Sequence, residues 1–211
     1  MITAGGTREA IDDVRFISNR SSGKQGLALA SLASSRGAEV TLISANIATE
    51  KLQHLHGIKV ISVVNTEELQ RALTDQFPNC DVLIMAAAVS DAKPINQGGK
   101  VKKENYQELK LVPTPDLLAE IAKNRTSQLL IGFAAEEKAN LLSEGQRKLA
   151  QKGLDLIYAN DILEGSIFGS DQTSGLLIDN ASVTEITLMS KEQLAHILLD
   201  KVAKRLNSSN V

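Results

Sequence analysis

The chain has 211 residues, of which 43% are hydrophobic and 23% charged, and its formal net charge is −2. This length fits one large α/β domain or two small ones, and the charge argues against a nucleic-acid binder held by general electrostatics. With one cysteine (Cys80) and three scattered histidines, a disulfide framework is excluded and a zinc site is implausible. No apolar run reaches the roughly 20 residues that span a bilayer, and no signal peptide precedes the first strand, so we expect no membrane partner and a cytoplasmic location.

Strand-like and helix-like segments alternate along the chain. Strands are predicted at residues 2–4, 39–44, 58–63, 80–85, 128–134 and 154–159, followed by a hairpin of strands 174–179 and 182–188. Helices are predicted at residues 23–36, 67–76, 115–123, 140–152 and 190–207. Continuous apolar strands between helices indicate a parallel sheet covered on both faces. The sequence therefore predicts one domain over residues 1–211, a doubly wound, mostly parallel Rossmann-like α/β fold with a C-terminal β-hairpin appendage.

Several helix ends carry recognisable signals. Gly37 suits the position after the first helix. Thr114 is expected to cap the third helix, with Pro115 at its first position. Ser190 and Gln193 have the spacing of a capping box, which predicts the start of the last helix.

Residues 19–26 (Asn-Arg-Ser-Ser-Gly-Lys-Gln-Gly) lead into the first helix. Such a loop is typical of sites that present backbone N–H groups and a helix N-terminus to a phosphate. Gly23 and Gly26 allow a ligand or a strand to approach the backbone closely, and Ser21 and Ser22 either cap the helix or donate to phosphate oxygens. An ordinary helix start without a ligand remains the alternative at this point.

Ligands of doubly wound folds bind outside the carboxyl ends of the strands. The segments predicted there are residues 5–8, 87–91, 132–136 and 160–161, which combine small residues, carboxylates, amides and an arginine. Residues 92–109 carry a proline, two glycines and several lysines with little apolar periodicity, and we expect them to form a mobile lysine-rich flap. Together these features suit a nucleoside triphosphate with a metal ion, although no metal ligands are identified.

Familiar nucleotide signatures do not fit. Ser18 stands where a P-loop needs its first glycine, and Gln25 replaces the magnesium-binding hydroxyl. The glycine turn at residues 4–9 lacks three spaced glycines, and Tyr106 with Lys110 has dehydrogenase spacing outside any predicted helix. An NAD(P)-dependent oxidoreductase and a non-catalytic nucleotide-binding module therefore remain competing interpretations.

Seven segments carry a resemblance to a known family: residues 3–9, 14–24, 87–91, 100–103, 115–116, 132–136 and 154–161. In this order they closely resemble bacterial phosphopantothenoylcysteine synthetase (phosphopantothenate–cysteine ligase) of coenzyme A biosynthesis. The segment Ser-Asn-x-Ser-Ser-Gly-Lys is highly specific. In many bacteria this domain is the C-terminal half of a bifunctional protein whose other half is a flavin-dependent decarboxylase. The resemblance and the short first strand thus predict an excised half, and no flavin is expected in it.

The resemblance implies a ligase that joins 4′-phosphopantothenate and L-cysteine through an acyl-cytidylate, with CTP as co-substrate and Mg²⁺ as cofactor. CTP rather than ATP follows from the bacterial branch, since eukaryotic members use ATP. The family is dimeric, with a partner's segment helping to complete each site, so a homodimer is expected.

The resemblance also assigns residues. It implies catalytic roles for Asn19, tied to turnover of the acyl-cytidylate, and for Lys100, which would contact the phosphates. The implied nucleotide-binding residues are Ala86, Ala87, Asp91, Lys100, Pro115, Asp116, Leu117, Leu118, Phe133, Lys148 and Lys152. The phosphate or substrate loop comprises Gly5, Gly6, Ser21, Ser22 and Gly23. Lys102 and Lys103 are expected to be solvated, and the chain departs from many members at Ala10 and Ser90.

Overall fold

The computed structural model describes residues 1–95, 99–100, 102, 108–161 and 169–209. The strands in these ranges are β1 (Ile2–Gly5), β2 (Arg8–Ala10), β3 (Phe16–Ser18), β4 (Thr41–Ala45), β5 (Lys59–Val63), β6 (Val82–Met85), β7 (Ala92–Pro94), β8 (Leu111–Pro113), β9 (Leu129–Glu136), β10 (Leu156–Asp161), β11 (Gln172–Ile178) and β12 (Val183–Ser190). The α-helices are α1 (Lys24–Ser35), α2 (Thr49–Leu52), α3 (Thr66–Gln76), α4 (Leu117–Lys123), α5 (Leu141–Gln151) and α6 (Lys191–Ser209).

The central sheet has the order β12-β11-β10-β9-β6-β1-β4-β5. The run from β10 to β5 is parallel, and β11 and β12 continue the same sheet in antiparallel pairing. The predicted doubly wound fold is therefore confirmed, and its C-terminal hairpin extends the sheet. The chain leaves β1 toward β4 in one direction and returns through β6 in the other, so the crevice of this fold opens between β1 and β6.

Two helical layers cover the sheet because adjacent strand residues point to opposite faces. Leu83 and Ile84 of β6 belong to different core clusters, as do Ile157 and Tyr158 of β10. Helices α1 and α6 cover one face, and α3, α4 and α5 cover the other. The crevice between β1 and β6 is therefore bordered by a helical layer on each face of the sheet.

Two small antiparallel hairpins, β2–β3 and β7–β8, stand outside the sheet and contact each other. They expose apolar side chains, including Val14, Phe16, Ile95 and Leu111, each at least half exposed. Residues 92–94, assigned above to a flap, form β7 and pair with β8. Lys103 and Tyr106 lie outside the described residues.

The cap predictions are partly correct. Gly37 has φ 87° after α1, and Ser190 and Gln193 exchange both bonds of a capping box. Gly23, with φ 73°, is the N-cap of α1 and has no side-chain cap, so capping by Ser21 or Ser22 is wrong.

The prediction that Thr114 caps α4 is also wrong. The Thr114 N–H donates to the Asp91 carbonyl at 3.0 Å, and its hydroxyl donates to the Ser90 carbonyl instead of accepting a helix N–H. Helix α4 therefore starts later, and Asp116 caps it by accepting the Ala119 N–H at 3.1 Å. Helix α2, a single polar turn, was not predicted. In the described ranges, no helix is long and apolar enough to cross a bilayer.

Candidate functional site

The crevice between β1 and β6 is closed at its base by backbone pairing beyond the strand ends. Gly6 forms a parallel bridge with Ala88. The Ala88 N–H donates to the Gly5 carbonyl at 2.8 Å, and the Thr7 N–H donates to the Ala88 carbonyl at 3.1 Å. The two strand ends are consequently one rigid floor, and cavities open on both sides of it.

Glycines bring the loop and α1 against this floor. A Cβ on Gly26 would lie 2.4 Å from Ala4 Cβ, and a Cβ on Gly5 would lie 2.0 Å from the Ala45 carbonyl oxygen. Of the two uses predicted for Gly26, close approach of a strand is therefore the one observed. Gly5 also has φ 90°, which favours glycine.

The first cavity, called here the glycine-loop cavity, has a volume of about 210 Å³ and lies on the α1 side of the sheet. Its wall combines the loop before α1 with the carboxyl ends of three strands. The lining residues are Arg20, Ser21, Ser22, Gly23, Lys24, Gln25, Gly26, Ala86, Ala87, Ala88, Phe133, Ala134, Ala135, Tyr158, Asn160, Gly169, Thr173 and Lys191. Ser21, Ser22, Gly23 and Ala86 of the predicted site are therefore together here, beside Gly5 and Gly6 of the floor.

Cations dominate the charge of the glycine-loop cavity. Lys24 Nζ lies 2.6 Å from Asp171 Oδ1, and Lys191 Nζ donates to the Ser170 carbonyl at 2.6 Å. Burial lowers the pKa of Lys191, and the nearby Lys24 lowers it further. Arg20 adds a third cation to the wall. The arrangement suits an anionic ligand.

Gln25 adds an unusual acceptor to the same wall. Its Nε2 donates to the Lys191 carbonyl at 3.1 Å, whereas its buried Oε1 has no hydrogen-bond partner among the described residues. This oxygen is inaccessible to solvent, so it is an unsatisfied buried acceptor and not an exposed group of the cavity surface.

The second cavity, called here the lysine cavity, has a volume of about 590 Å³ and opens on the α4 and α5 side. Most residues predicted to bind nucleotide meet in its wall although they come from distant parts of the sequence. They are Ala87, Asp91, Pro115, Asp116, Leu117, Leu118, Phe133, Lys148 and Lys152, and the predicted catalytic residue Asn19 lies with them.

The two lysines of this cavity are held by carboxylates. Lys148 pairs with Glu136, and Lys152 Nζ lies 2.9 Å from Asp116 Oδ2. Burial alone would raise the pKa of Asp116, but hydrogen bonds from Lys152 and from the Ala119 N–H hold it below its ordinary value. Both lysine side chains are less than a third exposed, at 29% and 27%, so they belong to the wall and not to a solvated helix face.

Asn19 lies where the loop meets the end of β6. Its Nδ2 donates to the Val89 carbonyl at 3.1 Å, and its own carbonyl accepts the Ser21 N–H at 2.9 Å. The side-chain oxygen has no hydrogen-bond partner among the described residues. An amide held in this way presents an acceptor to the cavity mouth.

Phe133 lines both cavities and forms part of the wall between them. Its ring meets the Tyr158 ring edge-on, with centroids 5.7 Å apart. Tyr158 is 1% exposed and its hydroxyl lies 2.8 Å from Thr173 Oγ1, and burial raises the pKa of Tyr158 to about 12. The buried, uncharged Tyr158 side chain therefore supports Phe133 in the wall.

Lys100 lies apart from the other predicted site residues. It is exposed and lines neither cavity, and Lys102 is likewise exposed. Sequence reasoning in turn missed Tyr158, Thr173 and Lys191. Thr173 lies just outside the predicted strand of residues 174–179, so the strand pattern did not include it. In the structure it belongs to β11, where alternation with Gly175 and Leu177 puts it on the face covered by α1 and α6.

The fold and its crevice define a Rossmann-like α/β domain. A sequence model described as the DNA/pantothenate metabolism flavoprotein C-terminal domain matches residues 1–206, and the chain belongs to this family. The family predicted from the sequence is thereby confirmed.

Curated relatives are similar to the chain over nearly its whole length. The chain is 38% identical over 215 residues to the coenzyme A biosynthesis bifunctional protein CoaBC of Mycobacterium tuberculosis, covering 96% of the chain and 51% of that protein. It is 36% identical to CoaBC of Haemophilus influenzae, covering 97% of the chain and 51% of the relative. The chain therefore spans about half the length of these relatives.

Solved structures match nearly from end to end. The crystal structure of the C-terminal domain of CoaBC superposes with a TM-score of 0.82 at 33% identity, covering 98% of this chain and 94% of that one. The DNA/pantothenate metabolism flavoprotein of Streptococcus pneumoniae gives 0.83 at 27% identity, with 97% of both chains covered.

Proposed function

We propose that the chain is a phosphopantothenate–cysteine ligase of coenzyme A biosynthesis that uses CTP and releases CMP and pyrophosphate. One observation carries the proposal: residues assigned to the nucleotide from widely separated segments meet in the lysine cavity. Membership in the C-terminal domain family and the naming of relatives as CoaBC support it.

The nucleotide would occupy the lysine cavity. Lys148 and Lys152 supply positive charge, Asp91 and Asp116 supply acceptors, and the N-terminus of α4 supplies backbone N–H groups. The phosphate of 4′-phosphopantothenate would then occupy the glycine-loop cavity, where Arg20, Lys24 and Lys191 lie. The two reactants would approach over the floor from opposite faces of the sheet.

The first step joins the two substrates. A carboxylate oxygen of 4′-phosphopantothenate attacks the α-phosphorus of CTP, the bond from that phosphorus to the bridging oxygen breaks, and pyrophosphate leaves. The protein contributes orientation and charge stabilisation rather than a covalent group. The two groups would meet on the floor of the crevice. The backbone pairing of Gly6 with Ala88 holds this floor in place.

The second step forms the amide. The amine of cysteine attacks the activated carbonyl carbon, the carbon–oxygen bond to the phosphate breaks, CMP leaves and the amine loses a proton. Asn19, fixed on the Val89 carbonyl, would orient the intermediate at the cavity mouth. A neutral amide suits this role because it adds no charge to a site already crowded with phosphates.

The described residues of the lysine cavity supply only part of the oxygen ligands that Mg²⁺ needs. Among the described residues, no group of three potential ligands could hold a metal ion. Mg²⁺ keeps several waters and binds through one or two carboxylates plus substrate phosphates, and Asp91 is a carboxylate of the lysine cavity without an ion pair in the described ranges. When bound, the ion would screen the triphosphate charge.

A homodimer forms part of the proposal. The β2–β3 and β7–β8 hairpins expose a group of apolar side chains that a second copy would cover. Lys100 lies between β7 and β8 in the chain and outside both cavities of its own protomer, in keeping with action at the site of a partner. We also propose that a decarboxylase half is linked to this domain in the full-length protein, as the length of the relatives suggests.

Pyrophosphate release tests the reaction. The assay combines CTP, 4′-phosphopantothenate and Mg²⁺, with and without cysteine, and compares ATP with CTP. Sustained turnover that requires all substrates supports the ligase, and Asn19→Asp should release pyrophosphate once per site and then stall. CTP binding without pyrophosphate release would favour a non-catalytic module, and an absorbance change dependent on nicotinamide would favour an oxidoreductase.

A further inference from the structure

Thr7 is a fully buried residue that no site prediction includes, and its polar atoms connect the two segments at the cavity mouth. Its Oγ1 accepts the Ser90 N–H at 3.1 Å and lies 3.3 Å from Ser90 Oγ. Its carbonyl accepts the Ser18 hydroxyl at 2.8 Å, and its N–H donates to the Ala88 carbonyl at 3.1 Å.

These contacts lie directly behind the Asn19 amide. Ser18 precedes Asn19 in the chain, and Ser90 follows Val89, whose carbonyl accepts the Asn19 amide at 3.1 Å. Thr7 therefore holds the neighbour of each partner in that hydrogen bond. A shift of either segment would change the position of the Asn19 side chain relative to the β6 end.

We propose that Thr7 is a positioning residue that sets the geometry of Asn19 against the wall formed by residues 87–91, and so serves the second half-reaction. The inference rests on the proposed ligase function. It assigns Thr7 no contact with a substrate, since its side chain is enclosed by protein.

Residue size and hydrogen bonding can be separated at this position. Thr7→Val keeps the shape but leaves the buried Ser90 N–H without an acceptor, whereas Thr7→Ser keeps the hydroxyl and loses a methyl group. Ser18→Ala removes the bond to the Thr7 carbonyl, along with a longer 3.4 Å contact to the Asn19 carbonyl, from a residue that is not buried. It provides a second route if Thr7→Val folds poorly.

The two half-reactions are measured separately in the test. Pyrophosphate release without cysteine reports the first, and CMP release after adding cysteine to the preformed intermediate reports the second. Thr7→Val should slow the second step about tenfold, because the Ser90 N–H loses its acceptor together with the weaker contacts of the Thr7 hydroxyl to Ser90 Oγ and Thr66 Oγ1. It should change the first step by less than about threefold. Thr7→Ser should restore the second step, and Ser18→Ala should slow it in the same selective way.

Ser44→Ala is the matched control, because it removes another buried hydroxyl that has no hydrogen-bond partner among the described residues. It should leave both steps unchanged. If Thr7→Val slows both steps equally, or lowers only the fraction of active protein, Thr7 serves stability alone and the inference is overturned.

Amide hydrogen exchange separates this inference from the function on which it rests. Thr7→Val should accelerate exchange at residues 18–21 and 88–90 more than elsewhere in the domain. If the unchanged protein forms no acyl-nucleotide, the ligase proposal fails and the role in turnover fails with it. Exchange that is the same in Thr7→Val and the unchanged protein would overturn the coupling itself.

Discussion

The two cavities at the carboxyl edge of the sheet are built in different ways. The longest run in the wall of the glycine-loop cavity is residues 20–26, which the close approach of Gly23 and Gly26 holds against the end of β1. The lysine cavity is lined by five separate segments, and its two lysines are held in ion pairs with Glu136 and Asp116. One cavity therefore depends on backbone geometry and the other on the packing of α4 and α5 against the sheet. The two should respond differently to mutation.

The largest effect on stability is expected at Gly5, where an added side chain would collide with the backbone of β4. Gly5→Ala should lower the free energy of unfolding by about 3 kcal/mol or more, because its Cβ would lie 2.0 Å from the Ala45 carbonyl oxygen at φ 90°. Gly57 also has positive φ, 74°, but nothing lies within 4 Å of an added Cβ. Gly57→Ala should therefore lose only about 1–2 kcal/mol.

Urea unfolding followed by circular dichroism measures both losses. Equal losses would mean that backbone conformation alone, and not crowding under the glycine-loop cavity, makes Gly5 necessary.

A pair of lysine substitutions separates the cavities. Lys148→Met should raise the KM for CTP by about 10- to 100-fold, the range for a lost charged hydrogen bond, and leave the KM for 4′-phosphopantothenate nearly unchanged. Lys24→Met should do the reverse, because it removes a cation and leaves Asp171 unpaired beside the glycine-loop cavity. Steady-state kinetics with each substrate varied in turn measures both constants.

The control for this pair is Lys123→Met, at the exposed end of α4, which should change neither constant. If either cavity variant raised both KM values alike, the division of substrates between the cavities would be wrong.

A substitution of Phe133 tests the wall that the two cavities share. Since it lines both cavities, Phe133→Ala should raise both KM values together, by about 5- to 20-fold, as expected for one lost aromatic contact surface. Tyr158→Phe keeps the ring that supports Phe133 and should affect both constants much less. An effect of Phe133→Ala on one substrate alone would place the ring in a single cavity.

The smallest effect is expected from pH. Burial and Lys24 lower the pKa of Lys191, so this cation loses its proton at a lower pH than an ordinary lysine. The KM for 4′-phosphopantothenate should then rise, by less than about tenfold, at a pH below that at which an ordinary lysine loses its proton. Lys191→Arg, which stays charged, should remove that rise.

The KM for CTP provides the comparison within the same measurement. The pKa of Asp116 is lowered, so its pair with Lys152 persists throughout the neutral range and well into mild acid. Loss of that pair should therefore affect the KM for CTP only at the acid end of the pH range, far from the alkaline rise of the other constant. A parallel rise of both would assign the alkaline effect to a group common to the two cavities.

Local signals in the sequence predicted much of this molecule. Apolar runs located the sheet strands, Gly37 located the end of α1, and Ser190 with Gln193 located the start of α6. Predictions failed where a distant contact overrode a local preference. Thr114 is a preferred N-cap residue type, but its N–H and its hydroxyl are bonded to the carbonyls of Asp91 and Ser90, so Asp116 caps the helix instead.

By itself, the sequence determined the fold class, the glycine loop and the family, because each is written in contiguous residues whose conformational preferences are short-range. The tertiary structure alone decided which side chains share a wall. Only the folded sheet shows that Thr173 supports Tyr158, that Lys191 faces the glycine loop, and that Thr7 stands behind Asn19. Such contacts join residues far apart in the chain, and they depend on strand order and register, which no local pattern specifies.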